Sequence, residues 1–187
     1  MPLIVRWPGI TKPRIDTALH YHFDFAATMI ELVGGKVPEV WDGRPFTSAF
    51  KSGQQQGRDY LVVSQGAWSC QRSVRFDDYI CIRSYHDGHH GFPERMLFNV
   101  KNDPHEQNDL ACEKPDVVNH AMELLDQWHA EMMRTATTPT DPMWTVLREG
   151  GPYHTRGNLK AYLTRLRDSG RGKLADELAA RYPQECA

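Results

Sequence analysis

The chain has 187 residues, of which 40% are hydrophobic and 25% charged, and its 22 basic and 24 acidic side chains leave a formal net charge of −2. This composition is that of an ordinary globular protein and argues against a disordered chain. The near-zero charge gives no electrostatic basis for binding nucleic acid, and no apolar run approaches the roughly 20 residues that a membrane span needs. We therefore expect a folded chain with neither nucleic acid nor a membrane as partner.

The first predicted elements are a strand and a helix. The apolar run from Leu3 to Val5 ends in Trp7-Pro8-Gly9. It predicts a buried strand, which normally lies inside a sheet with neighbours on both sides. A helical pattern then begins at Asp24 and ends at Gly34. Asp at the start of a helix and Gly after its end are cap signals, so this segment is predicted to be a helix. A loop rich in Gly, Pro and Gln follows, and we place the end of the first domain there, giving residues 1–57.

The second predicted domain, residues 58–136, is a sheet followed by a helix. Strand patterns joined by short turns predict an antiparallel sheet. They cover Tyr60–Val63, Arg72–Phe76, Tyr79–Tyr85 and Met96–Val100. Pro115 then starts an amphipathic pattern with Val118, Ala121 and Leu125 on one face. A long helix packed on one face of such a sheet makes an α+β layer.

The remaining residues, 137–187, are predicted to form a linker and a helical tail. The segment 137–142 is rich in Thr and Pro, which favours a linker. Apolar residues at helical spacing then mark one helix from Leu159 to Leu166 and another from Leu174 to Tyr182. Gly170-Arg171-Gly172 separates the two helices.

The four cysteines are not spaced as a metal or redox motif, and buried free thiols are predicted for the two that lie in one hairpin. The four are Cys70, Cys81, Cys112 and Cys186, and no pair has the Cys-x-x-Cys spacing of a zinc knuckle or a thioredoxin-like site. A two-residue turn at Asp77-Asp78 would place Val74 opposite Cys81 and Tyr85 opposite Cys70, so the two hairpin cysteines would not face each other. The redox compartment, and with it the cellular location, stays open.

A series of short motifs runs in order through residues 2 to 133. It comprises Pro2 to Gly9; Asp24, Thr28, Glu31, Leu32 and Gly34; Pro38; Asp42-Gly43; Arg58-Asp59; Arg72 to Arg75; Tyr79-Ile80; Leu97-Phe98; Asp103 to Glu106; Asp109 to Ala111; and Pro115. In this order the series resembles the C-terminal part of a sulfatase, of the formylglycine-dependent arylsulfatase family in the alkaline phosphatase superfamily. The segment Gly150 to Gly157 is similar to an extension of some bacterial sulfatases.

The resemblance implies a fragment of the α/β sulfatase fold. One strand–helix unit of the main sheet is followed by a small four-stranded antiparallel sheet, packed on a long helix, and a helical tail. It also implies sulfate-ester hydrolysis, in which a cysteine or serine of a Cys/Ser-x-Pro-x-Arg motif becomes formylglycine and a calcium ion steadies the sulfate. No cysteine or serine here stands in that motif. We therefore expect neither a catalytic residue nor a metal in this chain, and calcium and formylglycine only in a full-length member. Met1 falls where the family has an interior residue, so a truncated, alternative or mis-assigned start is expected.

Four side chains are candidates for contact with substrate. His86 and His89 lie in a His-rich turn after a strand, and His154 and Arg156 lie in a Gly-rich loop. Loops on a rigid scaffold often carry such contacts, and the planar fork of Arg suits a sulfate. The competing interpretation is that these four side chains are solvated turn and loop residues without a role in binding. A metal site in the His-rich turn is disfavoured because adjacent side chains of a strand point to opposite faces. Alternate basic residues such as Arg72 and Arg75 are interpreted as a solvated face.

The leading function is therefore the C-terminal portion of a sulfuric ester hydrolase, contributing fold and substrate-binding loops for a sulfated small molecule or glycan and inactive alone. The alternatives are a phosphonate or phosphate ester hydrolase of the same superfamily, a non-catalytic binding remnant, and a metal-dependent hydrolase using the His-rich turn. An unpaired apolar strand at the start predicts self-association of the isolated chain.

Overall fold

The computed structural model describes residues 3–9 and 13–186 and contains the predicted helices and the four predicted strands of the second domain. The helices are α1 (His22–Leu32), α2 (Thr47–Ser52), α3 (Pro115–Thr135), α4 (Pro142–Arg148), α5 (Leu159–Asp168) and α6 (Gly172–Arg181), followed by a 3-10 turn at Pro183–Cys186. The strands are β1 (Tyr60–Gln65), β2 (Cys70–Phe76), β3 (Tyr79–His86) and β4 (Arg95–Asn99). The α+β class is confirmed. Within the described ranges, no helix has the length and apolar character that crossing a bilayer requires.

The four strands form one sheet in the order β1-β2-β3-β4, with β2–β3 and β3–β4 antiparallel. Val74, Cys81 and Leu97 stand across from one another on three neighbouring strands, and all three are fully buried. Helix α3 packs against β2 and buries Val118, Ala121 and Leu125. The apolar residues that alternate along the strands therefore pack with those at helical spacing in α3 in one hydrophobic core.

The hairpin of β2 and β3 keeps the predicted register from the pair of Phe76 and Tyr79 to the pair of Gln71 and Ser84, and departs from it only at Cys70. Val74 faces Cys81 as predicted, but the prediction of Tyr85 opposite Cys70 is wrong, because a register shift between Cys70 and Gln71 places His86 there instead. An extra residue in one strand of this kind is a β-bulge, which re-aims the side chains beyond it. Here it turns His86 toward the buried side occupied by Cys70.

The described cysteines are free thiols, as predicted for Cys70 and Cys81, both of which are fully buried. Burial raises the pKa of Cys81 to about 11. Burial also raises the pKa of Cys70, against the nearby charge of Arg156. Both thiols are therefore protonated near neutral pH and serve as small apolar core groups, since the thiolate is the reactive form.

The chain divides into two compact units, residues 1–61 and 62–187. The division at residues 61 and 62 concerns only the first of the two predicted domain boundaries. The predicted domains 1–57, 58–136 and 137–187 therefore stay a prediction. In the first unit α1 packs against α2, a short helix inside the segment predicted to be loop. Helix α1 begins at His22, so Asp24 lies in its first turn rather than before it.

Asp24 is the polar centre of the first unit. Its carboxylate accepts hydrogen bonds from the backbone N–H groups of Tyr21 and Arg44, both at 2.8 Å, and from Nε of Arg58 at 3.0 Å. Burial alone would raise the pKa of Asp24, but the bonds from Arg58 and the two backbone groups outweigh it and hold the pKa below its usual value. A side chain that the sequence suggests as a helix cap therefore ties α1 to the segments around Arg44 and Arg58.

The predicted strand from Leu3 to Val5 is not formed. Those residues have no regular structure, and the side chains of Leu3 and Ile4 are 52% and 93% exposed. A strand needs a neighbour to pair its backbone N–H and C=O groups. Among the described residues no strand lies beside this run, so its apolar character has nothing in this chain to pack against.

The helical tail has a core of its own. Helices α5 and α6 pack together through five buried residues, Leu159, Leu163, Leu166, Ala175 and Leu178. The predicted linker ends at α4, whose first turn is capped by Asp141, with its carboxylate accepting the N–H of Met143 at 2.9 Å.

Arg72 is buried rather than solvated, so the interpretation of its strand face as solvent-exposed is wrong. Its guanidinium donates to Asp141 at 2.7 Å, and the two side chains are only 9% and 5% exposed. His129 also contacts the Asp141 carboxylate, at 3.0 Å, and the Arg72 guanidinium lies 5.2 Å from the ring of Trp128. Burial alone would raise the pKa of Asp141, but hydrogen bonds from Arg72 and Met143 reverse this and lower it.

Acid is expected to destabilise the protein through Asp24 and Asp141. Both carboxyl groups have a lowered pKa in the folded protein, whereas in the unfolded chain they titrate near about 3.9. The folded state then binds fewer protons, so their contribution is fully present above about pH 5 and is lost as the pH falls through the folded-state pKa values. Urea unfolding at pH 7, 5 and 3 should show that the free energy of unfolding falls between pH 5 and pH 3. In Asp141→Asn the slope of this fall with pH should be smaller. An unchanged slope in this variant would contradict the assignment.

Candidate functional site

Three loops carry the candidate site, and all belong to the second unit. One joins β1 to β2, another joins β3 to β4, and the third joins α4 to α5. The first two loops lie at the same end of the antiparallel sheet, because β1 and β3 end where β2 and β4 begin. The third loop comes from the tail and packs against the second.

The inner part of the site is a histidine–carboxylate cluster of His86, His89 and Glu185. The Nε2 atoms of His86 and His89 lie 3.2 and 2.9 Å from the two carboxylate oxygens of Glu185. His86 and His89 are only 6% and 4% exposed. Burial lowers the pKa of His89, against the opposing effect of Glu185. The two candidate histidines of the His-rich turn are thus brought together, but around a side chain of the tail.

The proton positions in this cluster follow from the backbone. The N–H of Gly88 points at Nδ1 of His86 from 3.0 Å, so in the neutral ring Nδ1 is the acceptor and the proton sits on Nε2. That Nε2–H faces Glu185. A carboxylate only accepts hydrogen bonds, so Nε2 of His89 is a donor as well. The geometry is that of a carboxylate held by two imidazole N–H groups.

Asp87 fastens the tail to this loop. Its carboxylate accepts the backbone N–H groups of His89 and Gly91, both at 2.9 Å, the hydroxyl of Tyr182 at 2.6 Å and the guanidinium of Arg181 at 2.6 Å. Burial, reinforced by the bond to Asp87, raises the pKa of Tyr182. The Tyr182 ring also stacks on His86 at 4.6 Å. Helix α6 and the following turn therefore close over the His-rich loop.

The calcium ion that the sulfatase resemblance implies does not fit the residues that the structure describes, and no cysteine or serine of the sequence stands in the motif that yields formylglycine. Within the described residues, the cluster of His86, His89 and Glu185 is the one group whose donor atoms, all within 4.8 Å of one another, could surround an ion. Calcium takes six to eight oxygen ligands, whereas this cluster offers two nitrogens and a single carboxylate. Two nitrogens and a carboxylate do suit zinc, but both nitrogens already present protons to the carboxylate.

The outer part of the site is an aromatic platform of Trp68, His90 and His154, one residue from each loop. The centroid of the Trp68 ring lies 4.2 Å from that of His90 and 5.8 Å from that of His154, with interplanar angles of 15° and 23°. The two imidazoles are 6.1 Å apart. Trp68 is 58% exposed, which is high for so large an apolar side chain. Adjacent His89 and His90 thus face different neighbours, as expected.

The loop that carries His154 is held from within. A Cβ atom on Gly151 would lie 2.6 Å from the ring of His86, so this loop packs directly on the inner cluster. The Thr155 hydroxyl donates to the Pro152 carbonyl at 2.7 Å. Nε of Arg156 donates to the Gly151 carbonyl at 3.0 Å, and its Nη1 lies 2.7 Å from Glu149. Arg156 therefore spans the base of the loop, while His154 is exposed at its tip.

The predicted site residues thus fall into two places that touch through Gly151. His86 and His89 are inside, His154 is on the platform and Arg156 braces the loop. Sequence reading missed Trp68 and His90 of the platform and Glu185 of the cluster. A Trp in a short Gly-containing loop, Gly66-Ala67-Trp68, is the one sequence signal that could have marked Trp68, whereas nothing local marks Glu185, which is 99 residues from His86.

Comparison with known proteins assigns the chain to a family. The family model described as "N-sulphoglucosamine sulphohydrolase, C-terminal" matches residues 1–135. An N-acetylgalactosamine-6-O-sulfatase of Bacteroides thetaiotaomicron is 28% identical over 67% of this chain and 26% of its own length. An ulvan-active sulfatase of Formosa agariphila is 25% identical over 62% of this chain and 29% of its own length.

A solved structure gives the same assignment. A sulfatase structure described with the metabolism of multiple glycosaminoglycans by Bacteroides thetaiotaomicron superposes with a TM-score of 0.53 and 25% identity, over 66% of this chain and 28% of that one. The chain spans between a quarter and a third of the length of these relatives. The matching family model is that of the C-terminal part of a sulfohydrolase, as the motif series predicts. The chain belongs to the N-sulphoglucosamine sulphohydrolase C-terminal family and corresponds to the C-terminal part of sulfatases.

Proposed function

We propose that this chain is the substrate-facing, non-catalytic portion of a sulfatase that hydrolyses sulfate esters on a sugar. The observation that carries the proposal is the family match over residues 1–135 in a chain without a Cys/Ser-x-Pro-x-Arg nucleophile. The nucleophile and its calcium ion then belong to a separate catalytic portion, which supplies the chemistry. The names of the curated relatives, which include an N-acetylgalactosamine-6-O-sulfatase and an ulvan-active sulfatase, favour a sulfated sugar as the substrate class.

The surface of the first unit supports a catalytic portion as partner. Large apolar side chains are exposed there: Leu3, Ile4, Ile15, Phe23, Val33, Val40 and Trp41. Ile4 is 93% and Val40 89% exposed. Single exposed apolar residues are ordinary, but seven within one small unit are typical of a surface that another part of a protein covers. The run at Leu3, which resembles a strand of the sulfatase main sheet, would find its missing neighbours in that portion.

The isolated chain is expected to self-associate through this surface. Apolar groups left uncovered can be removed from water only by contact with another copy. Sedimentation velocity should show dimers or larger species that dissociate on dilution, and replacing Ile4 and Val40 with lysine should shift the distribution toward monomer. The matched control replaces Trp144 with lysine, an exposed apolar residue of the second unit. A monodisperse wild-type monomer would contradict the expectation.

The four candidate residues receive different roles in this proposal. His154, exposed on the platform, contacts the sugar. His86, His89 and Arg156 are positioning residues, because they face Glu185, Glu149 and the Gly151 carbonyl. They hold the loop that presents His154 at the mouth of the active site. A sulfated small molecule would be bound by the same groups.

The test compares the chain with and without a catalytic portion. The coding DNA upstream of Met1 is sequenced, and any in-frame extension with Cys/Ser-x-Pro-x-Arg is expressed together with this chain and a formylglycine-generating enzyme. Sulfate release from 6-O-sulfated N-acetylgalactosamine is measured by ion chromatography. We expect release by the combined protein, none by this chain alone, and none after alanine replaces the motif Cys or Ser. Release by this chain alone, or hydrolysis by the combined protein of a phosphonate ester but no sulfate ester, would overturn the proposal.

A further inference from the structure

We propose that the aromatic platform of Trp68, His90 and His154 binds a pyranose ring of the sulfated saccharide, which stacks on the open face of the Trp68 indole. This inference rests on the proposed function, because that function supplies the substrate class. It adds the place where the sugar is held and the residues that hold it. The proposed function assigns no role to Trp68 or His90.

Ring geometry shows which face of Trp68 is open. His90 and His154 both lie nearly parallel to the indole, at 4.2 and 5.8 Å from its centroid. If they lay on opposite faces, their centroids would be separated by nearly the sum of those distances. They are only 6.1 Å apart, so they do not sandwich the indole: His90 stacks on one face, and His154 lies off toward the ring edge. Since His90 covers one face and Trp68 is still 58% exposed, the other face carries most of the exposed ring area.

A pyranose ring suits such a face chemically. One side of the ring carries axial C–H groups, which are apolar and slightly positive, and the face of an aromatic ring carries negative charge. Stacking removes both surfaces from water. The hydroxyl and sulfate groups around the sugar rim remain free for polar contacts with exposed His154. Burial lowers the pKa of His90, with a smaller contribution from neighbouring His154, so His90 backs the indole as a neutral ring near pH 7.

The platform is held in place before any ligand arrives. A Cβ on Gly88 would lie 2.3 Å from the carbonyl oxygen of Trp68, so the loops carrying Trp68 and His90 are in direct backbone contact. The loop carrying His154 rests on His86 through Gly151 and is braced by Arg156. A binding surface that is already ordered loses little conformational entropy on binding. Aromatic side chains with a small number of polar groups beside them are typical of residues that line small-ligand sites.

Binding can be measured on this chain alone. The probe is 6-O-sulfated N-acetylgalactosamine, with unsulfated N-acetylgalactosamine beside it, titrated to millimolar concentration while Trp fluorescence and ligand NMR are recorded. We expect saturable binding that Trp68→Ala weakens at least tenfold, that Trp68→Phe weakens less, and that Trp144→Ala leaves unchanged. Trp144 is the matched control, since it is also an exposed Trp of the second unit, at 49%. An unchanged thermal midpoint of Trp68→Ala would show that the fold is intact.

The outcomes separate this inference from the proposed function. Binding that is lost in Trp68→Ala but equal for sulfated and unsulfated sugar would support the platform and count against a sulfate-ester substrate. Equal binding by Trp68→Ala and the wild type, or no binding of either sugar to the wild type, would overturn the platform. In the combined protein Trp68→Ala should raise KM with little change in kcat. Sulfate release with an unchanged KM would overturn the platform and leave the sulfatase assignment standing.

Discussion

Replacing Arg72 with alanine is expected to lower the free energy of unfolding by about 3–5 kcal/mol, the range found when one partner of a buried ion pair is removed. The guanidinium lies 2.7 Å from Asp141, and both side chains are almost fully buried. Without Arg72 the Asp141 carboxylate stays inside the protein, with His129 and the Met143 N–H as its remaining partners. The variant also loses the contact of the guanidinium with the ring of Trp128.

Urea unfolding monitored by circular dichroism measures this loss. Asp141→Asn in the Arg72→Ala background should restore part of the stability, because it removes the buried charge that has lost its partner. The control is Lys101→Ala, which breaks the exposed Lys101–Asp78 pair and should cost less than about 1 kcal/mol. Equal effects of Arg72→Ala and Lys101→Ala would contradict the account of a buried pair.

Gly88→Ala is expected to be the second most damaging substitution, with a loss of roughly 2–4 kcal/mol. Gly88 has φ +68°, a left-handed conformation that costs a residue with a side chain about 1–2 kcal/mol. The added Cβ would also lie 2.3 Å from the carbonyl oxygen of Trp68. A backbone atom cannot turn away as a flexible side chain can, so the loop between β1 and β2 must move.

Gly170→Ala separates these two causes. Gly170 has φ +76°, and nothing lies within 4 Å of an added Cβ, so this variant carries the backbone strain without the collision. Thermal and urea unfolding of both variants should show Gly88→Ala as the less stable by more than about 1 kcal/mol. Because the collision displaces Trp68, Gly88→Ala should also weaken sugar binding, whereas Gly170→Ala should not. Equal stabilities would show that the contact with Trp68 relaxes freely.

Much of the secondary structure follows from the sequence, because local patterns determine it. Alternating apolar residues mark β2, β3 and β4, and helical spacing marks α3, α5 and α6. The turn at Asp77-Asp78 sets the register of Val74 against Cys81. The ordered motifs from Pro2 to Pro115 are enough to identify the sulfatase C-terminal portion, which the family match confirms. Each of these signals depends on residues close together in the chain.

The candidate site depends on tertiary structure, because its partners are far apart in sequence. Arg72 meets Asp141 across 69 residues, and Glu185 meets His86 across 99. Nothing local to either residue signals its partner. The bulge that turns His86 inward arises only when β2 and β3 pair. The run at Leu3 carries the pattern of a strand but forms none, because a strand also requires a neighbour to bond with. Local patterns thus determine most of the helices and strands and the family, whereas packing alone decides which charges are buried and which aromatic rings meet at the surface.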